Sequence, residues 1–207
     1  MDRDQAARSL EVIRTLMERS SLYRRALAPL MFLAGTAGVT GGVLSHFVSI
    51  DASSAAFVEY WMTFSAVTLS GSLLLARGQA LRAREPFWSP PSKRVIQALI
   101  PPLVVGFSLG AVATKTDAST WVLASLWMML YGCALHSAGF FMTRGIKLFG
   151  WMLISLGSLA LTLFHWKPEL LRALTSSDLM GVGFGLTHVA YAVYLRATEA
   201  RRNDPAV

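Results

Sequence analysis

The sequence predicts an all-α polytopic membrane protein: six transmembrane helices in one bundle, with both termini cytoplasmic. Three observations carry this prediction. Trp121–Thr143 is a run of 23 residues without Asp, Glu, Lys or Arg, and a helix of that length spans the ~30 Å hydrocarbon core. The chain is 54% hydrophobic and only 15% charged, whereas a soluble domain is about one quarter charged. The basic residues gather in alternate connections between apolar runs, as the positive-inside rule requires of cytoplasmic loops.

Residues 1–25 read as a cytoplasmic or interfacial amphipathic helix. Ala6, Leu10, Ile13 and Met17 recur at three- and four-residue steps, and Arg3, Arg8, Arg14 and Arg19 fill the other face. This stretch has no apolar region followed by a small-residue cleavage site, so the first span is expected to act as the insertion signal. The transmembrane domain is expected over 26–196, with a polar cytoplasmic tail over 197–207.

The first span, 26–50, carries Ala34, Gly38 and Gly42 at four-residue steps, continued by His46. Small residues at that spacing let two helix backbones approach closely, within the chain or between two copies. The second span, 55–76, has Glu59 about one turn inside its start, with Thr63 and Ser70 on the same face. The connection Arg77–Arg94 holds Pro86, Pro90 and Pro91, which exclude a continuous helix. Phe87 and Trp88 sit there as interfacial aromatics do. In the third span, 95–114, Pro101-Pro102 predicts a kink or a broken start.

The fourth span is 121–143, with a tight connection over 144–147. The fifth, 148–166, has a polar seam of Ser155, Ser158, Thr162 and His165. A short surface helix opened by Pro168 is expected over 167–177. Asp178 is expected to cap the sixth span, 179–195, where Gly181, Gly185 and His188 share a face. Trp61, Trp121 and Trp166 fit an outer aromatic belt, Trp88 and Trp151 an inner one, and Trp127 lies deeper.

Orientation follows from counting. The N-terminal arm, the 77–94 and 144–147 connections and the tail hold 16 of the 19 Lys and Arg residues. Those segments are therefore expected in the cytoplasm. A net charge of +7 could suggest nucleic acid, but the basic residues lie between apolar runs. Attraction to an anionic inner leaflet is the expected partnership, and no nucleic acid is expected. The single cysteine, Cys133, excludes an intrachain disulfide and a Cys-based zinc cluster.

No metal-hydrolase, P-loop or dinucleotide motif is present. Gly181-Val-Gly-Phe-Gly lies in an apolar helix with no preceding strand, so it reads as a packing feature. Two sets of side chains remain as candidate sites. His136 and His188 each precede an arginine by eight residues, which places both at similar depth in the inner leaflet, ~12 Å above Arg144 and Arg196. Two imidazoles on facing helices are able to hold haem b, to line a pocket for a proton, an ion or a small ligand, or to hydrogen-bond neighbouring helices. Near the outer boundary, His46, Glu59 and His165 form a proton- or ion-responsive candidate, with a carboxylate that must pair or protonate in lipid; the plainer reading is an interfacial Glu59 reaching water, with the histidines at helix ends.

Glu85-Pro-Phe-Trp-Ser-Pro-Pro, Leu135-His-Ser-Ala-Gly-Phe-Phe-Met and Gly145-Ile-Lys-Leu-Phe-Gly-Trp resemble segments of an uncharacterised family of small bacterial inner-membrane proteins. The resemblance implies a bacterial inner-membrane location and six spans, and it brings no activity. The functional expectation is a non-enzymatic membrane protein with a polar intramembrane pocket. It would bind a ligand, a membrane partner or a second copy in a sensing or accessory role. The alternatives are a b-type haem electron carrier using His136 and His188, and a small proton-linked transporter using Glu59.

Overall fold

The computed structural model describes residues 27–82, 84, 86–142 and 144–203. The amphipathic helix expected over 1–25 lies outside them. Among the described residues there are six long helices and no strand. They are α1 (Leu27–Ser45), α2 (Ser54–Arg82), α3 (Pro90–Ala113), α4 (Thr120–Ala138) and α5 (Arg144–Trp166). The sixth, α6, is continuous but changes form. An opening turn Ser176–Asp178 leads into a π-helical stretch Leu179–Leu186 and then into α-helix Thr187–Asn203.

Four helices, α1, α3, α4 and α5, are long and apolar enough to cross a membrane, which suggests a membrane protein. The other two differ for visible reasons. Glu59 and a series of hydroxyls dilute the apolar residues of α2, and α6 is divided by its π-helical stretch.

Successive helices alternate in direction. The Tyr60 hydroxyl donates to the Gly41 carbonyl at 2.7 Å, setting the start of α2 against the end of α1. Ser54 Oγ lies 2.8 Å from the Ala113 carbonyl and 2.7 Å from that of Thr116, so the end of α3 returns to the same level. Gly110 and Gly106 of α3 sit against Trp127 of α4. α4 and α5 pack closely along their length, with Gly132 against Gly150 and Gly157 against Ser125. Gly145 and Phe149 of α5 meet Tyr191 of α6.

Two cores result. One lies toward the ends carrying the basic connections, where Leu27 and Met31 meet Met128, Leu135, Ile146, Phe149, Leu153 and Ala192. The other gathers Ile50, Phe57, Trp61, Leu123, Trp127 and Met180 at the opposite end. Trp61, expected in an outer lipid belt, is a core residue at 3% exposure. Trp166 is exposed, and Trp121 stacks on Phe164 at 6.0 Å.

Several boundaries differ from the sequence reading. α2 runs on to Arg82, because no proline occurs before Pro86 and a chain of Leu, Ala, Arg and Gln favours helix. α3 begins at Pro90, where Pro90-Pro91 occupy the first turn and their missing N–H groups cost nothing. Ser89 caps it by accepting from the Ser92 N–H. The helix continues through Pro101-Pro102 without the expected break. α4 stops at Ala138, and Gly139–Met142 turns the chain instead of extending the span. The surface helix expected over 167–177 is a single 3-10 turn, Pro168–Leu171.

Candidate functional site

The polar side chains inside the bundle form two groups. The first group centres on His188, which has no exposed surface. A carbonyl only accepts, so the 2.7 Å contact between Nδ1 and the Phe184 carbonyl assigns the proton to Nδ1. Nε2 is then the acceptor for the Tyr131 hydroxyl at 3.3 Å. The imidazole lies among Phe184, Phe149 and Tyr131, with ring centroids 4.1, 4.7 and 5.5 Å away.

Local chain geometry explains the bond to Phe184. The π-helical stretch ends here, and the return to α-helix changes the spacing of backbone donors. The Phe184 carbonyl accepts from the Thr187 N–H, from Thr187 Oγ1 at 2.9 Å and from His188. Thr187 Oγ1 also reaches the Gly183 carbonyl at 2.7 Å. Thr187 and His188 thus secure the carbonyls at the irregular turn.

His136 has different neighbours. Its ring meets Phe140 and Trp151, each at 5.4 Å between centroids, and its Nδ1 is buried without a hydrogen-bond partner. No ring contact joins it to His188. The two do not share a depth, because α4 ends at Ala138 and His136 falls in its last turn. His188 is level with Tyr131, which lies five residues earlier on α4, or ~7.5 Å along the axis. Both nitrogens of His188 are engaged within the protein. The pair therefore does not present two open imidazoles to a haem iron.

The second group joins the end of α1 to the starts of α2 and α6. Asp51, in a short 3-10 turn Ile50–Ala52, accepts through Oδ1 from the Ser176 hydroxyl and, at 3.2 Å each, from the Ser177 N–H and hydroxyl. Trp61 Nε1 donates to Ser177 Oγ at 3.4 Å. Next to this lies a reciprocal cap. Thr175, not Asp178, is the N-cap of α6; its Oγ1 accepts from the Asp178 N–H at 3.1 Å, and Asp178 Oδ2 accepts from the Thr175 N–H at 2.7 Å. His46 Nε2 lies 2.9 Å from Asp178 Oδ1.

Burial alone would raise the Asp178 carboxyl. The hydrogen bonds from Thr175 and from His46 outweigh that effect and hold it below its ordinary range.

The expected outer set is not assembled. His46 pairs with Asp178, Glu59 is exposed on α2, and exposed His165 lies against Trp166 at the end of α5. No hydrogen bond or ion pair joins the three. Among the described residues no three His, Cys, Asp or Glu side chains form a metal-binding group.

The glycine stripe is used within the chain. A Cβ on Gly38 would lie 2.9 Å from Gly185 Cα, and one on Gly42 would lie 2.7 Å from Gly181 Cα. Sequence reasoning missed Ser176, Ser177 and Tyr131. The Thr175-x-x-Asp178 spacing before an apolar run was the available signal for the cap; nothing local marked Tyr131 as the partner of His188.

No protein-family model, curated protein or solved structure matches this chain.

Proposed function

We propose that the chain is a six-span protein of a bacterial inner membrane, with both termini in the cytoplasm and no catalytic role. Its part is to bind another membrane protein in a sensing or accessory capacity.

The observation that supports this reading is the condition of α2. Its buried residues, Ser54, Phe57, Val58 and Trp61, all fall near its start. From Met62 to Arg82 none is buried, and Glu59, Thr63 and Ser70 stand exposed on one face. A polar stripe facing lipid is costly. A neighbouring transmembrane helix offering hydroxyl or amide groups would remove that cost.

Two features weigh against the alternatives. His188 has no free nitrogen for iron, so purified protein supplemented with haem is expected to show no Soret band. α3 stays helical through Pro101-Pro102, which leaves no broken helix beside Glu59 for a transport path.

A photo-crosslinking residue at Ser70, compared with one at the exposed Phe107 of α3, tests the proposal in native membranes. A discrete adduct from position 70 and none from 107 is expected. Identical patterns from both positions would reject it.

A further inference from the structure

We propose that the elbow between α2 and α3 binds the headgroup of an anionic phospholipid. The inference rests on the membrane placement above. Arg77, Ala80, Leu81, Phe87 and Trp88 line an open hollow of about 450 Å³.

Its level suits a headgroup. Arg77 lies 23 residues beyond Ser54 on a continuous helix (77 minus 54), which is ~35 Å along the axis. With the outer end of α2 at one boundary, the guanidinium emerges just past the ~30 Å hydrocarbon core.

Its chemistry is divided as a phospholipid is. Arg77 supplies a planar fork that matches a phosphodiester. The remaining wall is apolar, and Leu81 and Trp88 expose 69% and 59% of their surface, as groups meeting glycerol and upper acyl carbons do. Phe87 and Trp88 pack edge to face at 5.2 Å and 73°, which keeps that wall in place. Arg84 takes φ 54°, a left-handed conformation few side-chain-bearing residues adopt. It lies where the chain leaves α2, and beyond it Phe87 and Trp88 line the hollow together with Arg77 and Ala80.

The field has the right sign. Arg77, Arg82, Arg84, Lys93 and Arg94 face a single acid, Glu85, in this stretch. Among the described residues none of the five forms an ion pair. Free phosphate would use the guanidinium but gain nothing from the apolar wall, so the occupant is lipid.

Native mass spectrometry of the full chain in detergent tests this, with phosphatidylglycerol, phosphatidylcholine and millimolar inorganic phosphate as probes. One phosphatidylglycerol is expected to stay bound under activation that removes phosphatidylcholine, and phosphate is expected not to displace it. A basic residue near anionic lipid is worth about 1 kcal/mol, or about fivefold. Arg77→Gln should therefore lower phosphatidylglycerol occupancy about fivefold, Arg77→Lys, which keeps the charge but loses the fork, should fall between Arg77→Gln and wild type, and Trp88→Ala should weaken it. Wild-type elution volumes establish that the variants are folded. Should Arg77→Gln aggregate, Trp88→Ala decides. Equal retention of both lipids, displacement by phosphate, or wild-type occupancy in folded Arg77→Gln or Trp88→Ala would overturn the proposal. The measurement does not depend on which side of the membrane the elbow faces, so it is separable from the topology.

Discussion

At the residue scale, His188 couples a backbone irregularity to a neighbouring helix. Its Nδ1–H supports the Phe184 carbonyl, and its Nε2 receives the Tyr131 hydroxyl. His188→Phe keeps an aromatic ring but removes both bonds and leaves the Tyr131 hydroxyl buried. A loss of about 1–3 kcal/mol is expected, read as a lower thermal midpoint in detergent. Tyr131→Phe removes only the longer bond and should cost about 0.6 kcal/mol, the usual value of an interhelical bond in a membrane. Equal effects would refute the division of labour between the two nitrogens. Asp178 supplies a pH dependence. Its folded carboxyl titrates below the ordinary range, so the unfolded chain takes up the proton first as pH falls. The contribution is whole above the unfolded value of ~3.9 and is lost as pH drops through the folded value. Asp178→Asn should flatten the fall of thermal midpoint on acidification below about pH 4; an unchanged acid limb would contradict the assignment.

At the element scale, glycine decides how closely helices pack. α1 and α6 touch through Gly38 with Gly185 and Gly42 with Gly181, while α4 and α5 touch through Gly132, Gly150 and Gly157. A Cβ on Gly185 would lie 2.5 Å from the Val39 backbone nitrogen, so Gly185→Ala forces helices apart and should cost about 1–3 kcal/mol. Gly78 of α2 has nothing within 4 Å of such a Cβ. Gly78→Ala should be neutral or stabilising by up to about 1 kcal/mol, since alanine is the better helix former. Thermal midpoints of the two variants, measured side by side, check this. The stripe on α1 was legible because its four-residue steps are regular. The α4–α5 seam was not, because α4 brings a single glycine, Gly132, the glycines Gly150 and Gly157 of α5 lie seven apart, and only the pairing brings them together. The helix ends were least legible. Gly139–Met142 reads as more span, yet the apolar run turns there, with Lys147 Nζ 3.5 Å from the centre of the Phe140 ring. The histidine pairing failed for the same reason, since equal depth assumed that α4 continued to Thr143.

At the scale of the whole molecule, the proposed topology rests on the alternation of helix direction and the distribution of charge. One end of the bundle collects His46, Asp51, Ser54, the Ala113 and Thr116 carbonyls, and Ser176–Asp178. Their hydroxyls and carboxylates bind one another there. The other end, made by the end of α2, the start of α3 and the start of α5, carries Arg77, Arg82, Arg84, Lys93, Arg94 and Lys147. Transferring one such basic group through the hydrocarbon costs roughly 2.5–3.5 kcal/mol at its centre, so the basic end is expected to remain cytoplasmic. Single cysteines placed at Arg82 and at Ser119, in a Cys133→Ser background, test this in intact spheroplasts with a membrane-impermeant maleimide. The Ser119→Cys variant should react from outside, and Arg82→Cys only after lysis. If α2 and α6 did not span, the 114–119 and 46–53 connections would lose their common side. A cysteine at exposed Ser53 would then differ from one at Ser119, whereas six spans require the two to label alike.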